Sequence, residues 1–237
     1  MLEFTRAPGA LPAVLHPDSF VARARGLVYL AIPKTMSRAL LAYLAEVDPG
    51  GHLVDDGGKH LLAEVTAASD PLRFSFVRNP YSRVVSTYLD KFVNYADTGP
   101  QREIFARHPG LRPDMSFREL VDWIASDAGA DRRTDAHLLP QHYFLFDGAG
   151  EQRRVGLTVR PIARVNENAR HEIAPFDTST RWRELLDDHA VRIITNRYDG
   201  DFALLGYERL PYRVAPLFTR GDPPARPTGP VPVTRRL

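Results

Sequence analysis

Twice in this chain a short apolar run ends in basic and hydroxyl residues and passes directly into an amphipathic helical pattern. The segments are LVYLAIPKTMSRALLAYLAE at 27–46 and FSFVRNPYSRVVSTYLDKF at 74–92. Each reads as strand, loop and helix, the repeating unit of a parallel α/β sheet. The junction is where such a sheet takes up anions: the first N–H groups of a helix lack intrahelical partners, and its dipole favours negative charge. Two such junctions suit a ligand with phosphate groups at both ends.

Local signals fill in the rest. Leu27–Ile32 is a continuous apolar run, as expected of a strand buried on both faces. Leu40, Leu41, Leu44 and Val47 then mark one helix face, which Asp48-Pro49-Gly50-Gly51 ends. A short helix is expected over Leu61–Ala68 and a second strand over Arg73–Val77. Asn79 is a capping residue and Pro80 suits the first helical position; Val84, Tyr88 and Phe92 follow at helical spacing. Ser116 and Glu119 have the form of a capping box ahead of Leu120, Val121 and Ile124. Asp127–Thr134 reads as a polar loop, and short strands are expected within His142–Phe146 and Val155–Val165. Trp182–Tyr198 reads as helix in one or two pieces, with a final turn at Asp201–Gly206. The fold class is α/β, a parallel sheet flanked by helices. Residues 1–26, broken by Pro8, Pro12 and Pro17, are expected to be irregular. Residues 27–215 are expected to form one domain, and the proline-rich 216–237 a flexible tail.

Composition narrows the function classes. The net charge of +2 is only mildly basic, and lysine occurs just at Lys34, Lys59 and Lys91, so there is no dense cationic stripe for nucleic acid. No apolar run is long enough to span a bilayer, and the first residues lack a signal-peptide pattern. The chain has no cysteine, hence no disulfide framework and no thiolate nucleophile. The expectation is a cytoplasmic protein. No His/Asp/Glu spacing calls for a metal, and HExxH is absent.

The first loop, Pro33-Lys34-Thr35-Met36-Ser37-Arg38, lacks the glycines of a Walker A loop but offers an ammonium, two hydroxyls and helix-start N–H groups. The second offers Arg78 at the strand's mouth, Arg83, and Ser86 two turns into the helix; arginine suits bidentate phosphate contact. Singly, a terminal lysine is ordinarily a solvated charge, and an arginine ordinarily a carboxylate partner.

Together the two segments resemble the cofactor loops of sulfotransferase family 2, the group that includes Golgi carbohydrate sulfotransferases and bacterial counterparts. The more specific match is FSFVRNPYSRVVSTYLDKF. Lys59-His60, DAHLLPQHYFLFD at 135–147, and Tyr198 with DFALLGY at 201–207 extend the likeness thinly. The resemblance implies a P-loop-NTPase-like fold and 3′-phosphoadenosine 5′-phosphosulfate (PAPS) as sulfuryl donor. It further implies that Lys34, Thr35, Met36, Ser37 and Arg38 hold the 5′-phosphosulfate, and Arg78 and Ser86 the 3′-phosphate. The chain departs from the family where Met36, Ser37 and Arg38 replace glycine and small hydroxyl residues. A glycine would take positive φ freely, whereas Met or Ser does so at about 1–2 kcal/mol. Arg38 either grips the phosphosulfate or crowds it.

The reaction this implies moves a sulfuryl group to an acceptor hydroxyl on a sugar or small molecule. Lys34 is the candidate to neutralise the leaving oxygen and His60 the candidate base, with His137 and then His142 behind it. A catalytically impaired nucleotide-binding module and a P-loop-type small-molecule kinase are the alternatives. Acceptor identity and oligomeric state are not written in the sequence.

Overall fold

The computed structural model describes residues 14–54, 72–94, 99–130, 134–145, 158–161 and 182–212. Five strands make one sheet: β1 (Phe20–Ala22), β2 (Leu27–Tyr29), β3 (His52–Leu53), β4 (Leu72–Val77) and β5 (Thr158–Pro161). Their order is β3-β1-β2-β4-β5. The pairs β2/β4 and β4/β5 are parallel, while β1 pairs antiparallel with both β2 and β3. The expected all-parallel sheet is therefore corrected to a mixed one. Its antiparallel part comes partly from the segment expected to be irregular: Pro17 lies just outside β1, and Phe20, Val21 and Ala22 are all buried. A three-residue strand is too short to show a period in sequence.

Side chains alternate along β2 and its continuation. Val28, Leu30 and Ile32 pack on one face with Val21, Val77, Leu139 and Phe144. Tyr29 and Ala31 pack on the other with Leu44 and, less deeply, Leu40, Leu41, Phe74 and Phe76. The helix α1 (Ser37–Val47) thus covers one face with the leucines its spacing singled out. Cross-strand pairing of β2 with β4 ends at Tyr29 and Phe74. Beyond it serine hydroxyls take over: Ser75 Oγ donates to Leu30 O at 2.6 Å, and Ala31 N donates to Ser19 Oγ at 2.9 Å. The strand ends are satisfied without a continuing ladder, which leaves room for two loops at the carboxyl edge of the parallel strands. That edge is where open α/β sheets bind ligands.

A second core lies among α2 (Pro80–Tyr88), α3 (Gly99–Arg107), α4 (Phe117–Ala125), α6 (Asp188–Arg197) and α7 (Asp199–Leu205), with Tyr81, Leu120, Ile124, Ile194 and Phe202 buried in it. Asn79 caps α2 by accepting from Tyr81 N, with Pro80 at the first helical position. The helix continues as a π-helical turn over Leu89–Asn94, which keeps Phe92 buried. Ser116 and Glu119 form the expected reciprocal capping box on α4.

Two local expectations change. The polar stretch after α4 contains a helical turn, α5 (Asp127–Ala130), because Ser126 Oγ accepts from Gly129 N and starts it. The strand expected at 142–146 is instead a 3₁₀ helix, Gln141–Phe144. Its first two N–H groups are taken by the Asp201 carboxylate, each at 2.8 Å, so a remote residue caps it. The helix expected at Leu61–Ala68 and the tail at 216–237 lie outside the described residues. Among the described residues no helix is long and apolar enough to cross a membrane.

The capping box gives a direct test of this fold. Ser116→Ala removes one partner of the pair on an exposed helix start and is expected to cost about 1 kcal/mol. Urea denaturation should show a lower midpoint with an unchanged slope.

Candidate functional site

The peptide leaving β2 turns sharply after Pro33. Lys34 and Met36 take positive φ, 70° and 68°, and are the two non-glycine residues to do so among those described. Thr35 between them does not, so the hand of the backbone alternates along the turn. Such alternation swings successive N–H groups to one side and makes a concavity for an anion. Thr35 is fully buried and its hydroxyl donates to Ile32 O at 2.7 Å, pinning the turn to the end of β2. Met36 precedes α1 and supplies no side-chain cap, leaving the helix's first N–H groups for an external acceptor. The Tyr29 hydroxyl is buried beside Thr35 and Ser37 and makes no hydrogen bond of full geometry. Burial pushes its pKa above the usual phenol range, so it stays a donor.

The second loop touches the first through Arg78. Its Nη1 donates to Lys34 O at 3.4 Å, and its Nε to Ser82 Oγ at 3.1 Å. The backbone of Arg78 is held by the side-chain amide of Gln141: Arg78 N donates to Gln141 Oε1 at 2.9 Å, and Gln141 Nε2 donates to Arg78 O at 2.8 Å. Gln141 is held in turn by Asp201, a fully buried carboxylate on α7. The same carboxylate accepts from His142 N and lies 2.8 Å from His142 Nδ1. Gly200 makes room for that ring, since a Cβ there would come within 2.8 Å of it.

Arg83, almost wholly buried on α2, donates to Pro33 O at 3.0 Å, Leu139 O at 2.7 Å and Ala136 O at 3.0 Å. It fastens the first loop and the 134–139 segment to the helix that carries the second loop.

Four charged groups gather beside the first loop. Lys34 Nζ lies 3.0 Å from Asp90 Oδ2, Lys91 Nζ 3.4 Å from the same oxygen, and Arg38 Nη2 3.8 Å from Oδ1. Burial holds the Lys34 ammonium below its ordinary pKa, Asp90 opposes that, and Lys91 and Arg78 add to it. For Asp90, burial favours protonation, but Lys34 and Lys91 outweigh it and hold the carboxyl below its usual range. Arg38 is 84% exposed, so it reaches into solvent beside Asp90 and does not crowd the turn.

Of the histidines weighed as a base, His60 lies outside the described residues. His137 Nδ1 is 2.7 Å from Asp135 Oδ1, which makes Nδ1 the protonated nitrogen of the neutral ring and Nε2 the acceptor. Burial tends to raise the Asp135 pKa, but its hydrogen bonds from the His137 ring and backbone keep it below the usual range. His16, which sequence reasoning passed over, is near enough to His137, Asp135 and Arg83 to feel their charge. His142 is engaged with Asp201 as a structural contact.

The structure thus brings Lys34, Thr35, Met36, Ser37 and Arg38 into one turn, and Arg78 against it. Ser86 sits buried on α2. Gln141, Asp201, Asp90 and the acceptors of Arg83 were not foreseen. DAHLLPQHYFLFD and DFALLGY marked the segments but not the carboxylate–amide contact between them.

The left-handed Met36 yields a test. Met36→Gly relieves the Cβ clash and is expected to raise stability by about 1 kcal/mol, net of the freedom glycine adds to the unfolded chain. Thermal and urea unfolding both report it; a loss of stability would show that packing of the Met36 side chain outweighs the strain.

Comparison with known proteins places this geometry. Neither the curated proteins nor the solved structures gave a match. A sequence model described as the sulfotransferase family matches residues 17–149, from just before β1 to just past the 3₁₀ helix at 141–144, and so includes both loops, Arg83 and Gln141. That match covers more than half of the 237 residues: the chain belongs to the sulfotransferase family, whose general chemistry is sulfuryl transfer.

Proposed function

We propose that the chain transfers the sulfuryl group of PAPS to a hydroxyl of a sugar or small-molecule acceptor, on a P-loop-NTPase-like framework. The observation that carries this reading is the junction of the two loops: an uncapped helix start with alternating backbone hand, tied to Arg78 through Lys34 O. The residues fit a ligand with phosphates at both ends. Lys34, the N–H groups of 34–38 and the spare Tyr29 hydroxyl suit the 5′-phosphosulfate, with Arg38 at its rim. Arg78 and Ser86 suit the 3′-phosphate. When bound, the donor supplies an electrophilic sulfur on a phosphate leaving group.

The chain's own groups then divide the work. The acceptor oxygen forms a bond to sulfur as the sulfur–oxygen bond to phosphate breaks, and the electron pair stays on the phosphate. Lys34 neutralises that growing charge, a contribution of about 3–4 kcal/mol for a well-placed donor. The acceptor's proton goes to a histidine, a step worth about 10²–10⁴ in rate. His60 is proposed for it from the family likeness, and His137 is the alternative, supported by the Asp135 contact that orients its ring. A binding module without transfer is the second reading, prompted by Met36 and Arg38 standing where the family carries glycine and small hydroxyl residues. It would bind the bisphosphate and transfer nothing from PAPS.

Binding tests the two-loop assignment. Adenosine 3′,5′-bisphosphate should bind far more tightly than 5′-AMP and raise the melting temperature by mass action. Arg78→Ala should erase that preference with the fold retained, and equal affinities in the native protein would sink the assignment.

Rates test the base. The native kcat/KM should rise with pH as the base loses its proton. Loss of that limb in His60→Ala with His137→Ala intact assigns His60, and the reverse assigns His137. Retention in both removes His60 and His137 from the role.

A further inference from the structure

The lysine of the first loop is already met by an internal carboxylate. Lys34 and Asp90 are both largely buried, at 14% and 13% side-chain exposure, with a 3.0 Å contact. Asp90 belongs to the π-helical turn Leu89–Asn94, whose extra residue per turn lets Asp90 meet Lys34 while Phe92 remains in the core. Such turns are rare and lie frequently at functional sites. We propose that Asp90 is a positioning residue for the first loop: its carboxylate anchors the Lys34 ammonium where the two loops meet and maintains it as the cation that receives the phosphosulfate. The inference rests on the role given to Lys34 above.

The charges around Lys34 show why an anchor is needed. Asp90 and Lys91 face it from the π-helical turn, Arg78 from the loop after β4, and Arg38 of α1 reaches the far oxygen of Asp90. Burial, Lys91 and Arg78 all favour the neutral amine, and Asp90 opposes them. An amine that had lost its proton could not neutralise a leaving phosphate. Asp90 itself is a poor base, because Lys34 and Lys91 hold its carboxyl below the usual carboxylate range. Its influence passes through Lys34.

The sign follows directly. A lysine is active below its pKa, so donor binding and kcat/KM fall as pH rises through the Lys34 value. Removing the negative charge of Asp90 moves that fall to lower pH. A merely structural role would weaken activity equally at every pH.

With three lysines in the chain, ¹³Cε-lysine labelling gives a three-signal spectrum in which Lys34 is assigned by Lys59→Arg and Lys91→Arg. The Lys34 titration midpoint is expected to be lower in Asp90→Asn than in the native chain, and to return toward it in Asp90→Glu. Affinity for adenosine 3′,5′-bisphosphate, measured from neutral to alkaline pH, should fall away earlier in Asp90→Asn. An unchanged Lys34 midpoint in a folded Asp90→Asn overturns the proposal, as does a loss of affinity independent of pH. If the native chain fails to bind the bisphosphate, the donor reading falls instead, and the lysine spectrum still decides whether Asp90 holds Lys34 charged.

Discussion

The guanidinium of Arg83 is enclosed by protein and uses three main-chain carbonyls where water would otherwise be: Pro33, Leu139 and Ala136. An arginine does not escape burial by losing its proton, so these acceptors must be delivered to it. A buried charge without such partners costs far more than a buried amide. Folding of α2 onto the sheet is therefore conditional on the first loop and the 134–139 segment taking one arrangement. The hydroxyl of Thr87 adds to this, with its one proton shared between Arg83 O at 3.1 Å and His137 O at 3.2 Å. The loop geometry at Lys34 and Met36 is strained by itself, and the Arg83–Pro33 contact is one of the forces that holds it.

From this anchor the polar interior runs in two directions. One leads through Gln141 to Asp201 and fixes the main chain of Arg78 on both its N–H and its C=O. The other leads through Lys34 to the carboxylate of Asp90, a pair with Lys91 and Arg38 at its edge. The two meet where Arg78 touches Lys34 O. Cationic side chains are thus gathered at one place but braced from opposite sides, by a neutral amide on one and an ion pair on the other. Repulsion among Lys34, Lys91 and Arg78 is offset by Asp90.

The two loops were legible because their signals are local. An apolar run, a proline, a cluster of hydroxyl and basic residues and a helical stripe all fall within twenty or so positions, and capping residues such as Asn79 and Ser116 act on their immediate neighbours. What stayed hidden acts over distance. The acceptors of Arg83 lie 50–56 residues away and are carbonyls, which every residue has. The turn of helix at Gln141–Phe144 looked like a strand because its apolar residues are dense, and the carboxylate that caps it is 60 residues on. The strand β1 was missed for its brevity, and with it the antiparallel half of the sheet. Asp90 went unmarked, since nothing in a stripe of apolar residues foretells that the helix will widen at that point.

The dependence of Arg78 on Asp201 has a bearing on how the chain is made. Synthesis proceeds from the N-terminus, and a domain folds as its parts become available. The sheet residues of β1, β2 and β4 and both loops are complete long before residue 201 has been added. Until then Gln141 lacks the carboxylate that holds it, and the main chain of Arg78 lacks its full clamp. The junction of the two loops is drafted early and closed late, by a residue on α7 that belongs to neither loop. A nascent chain therefore carries both loops, while residues 95–200 are being added, without the full clamp on the main chain of Arg78.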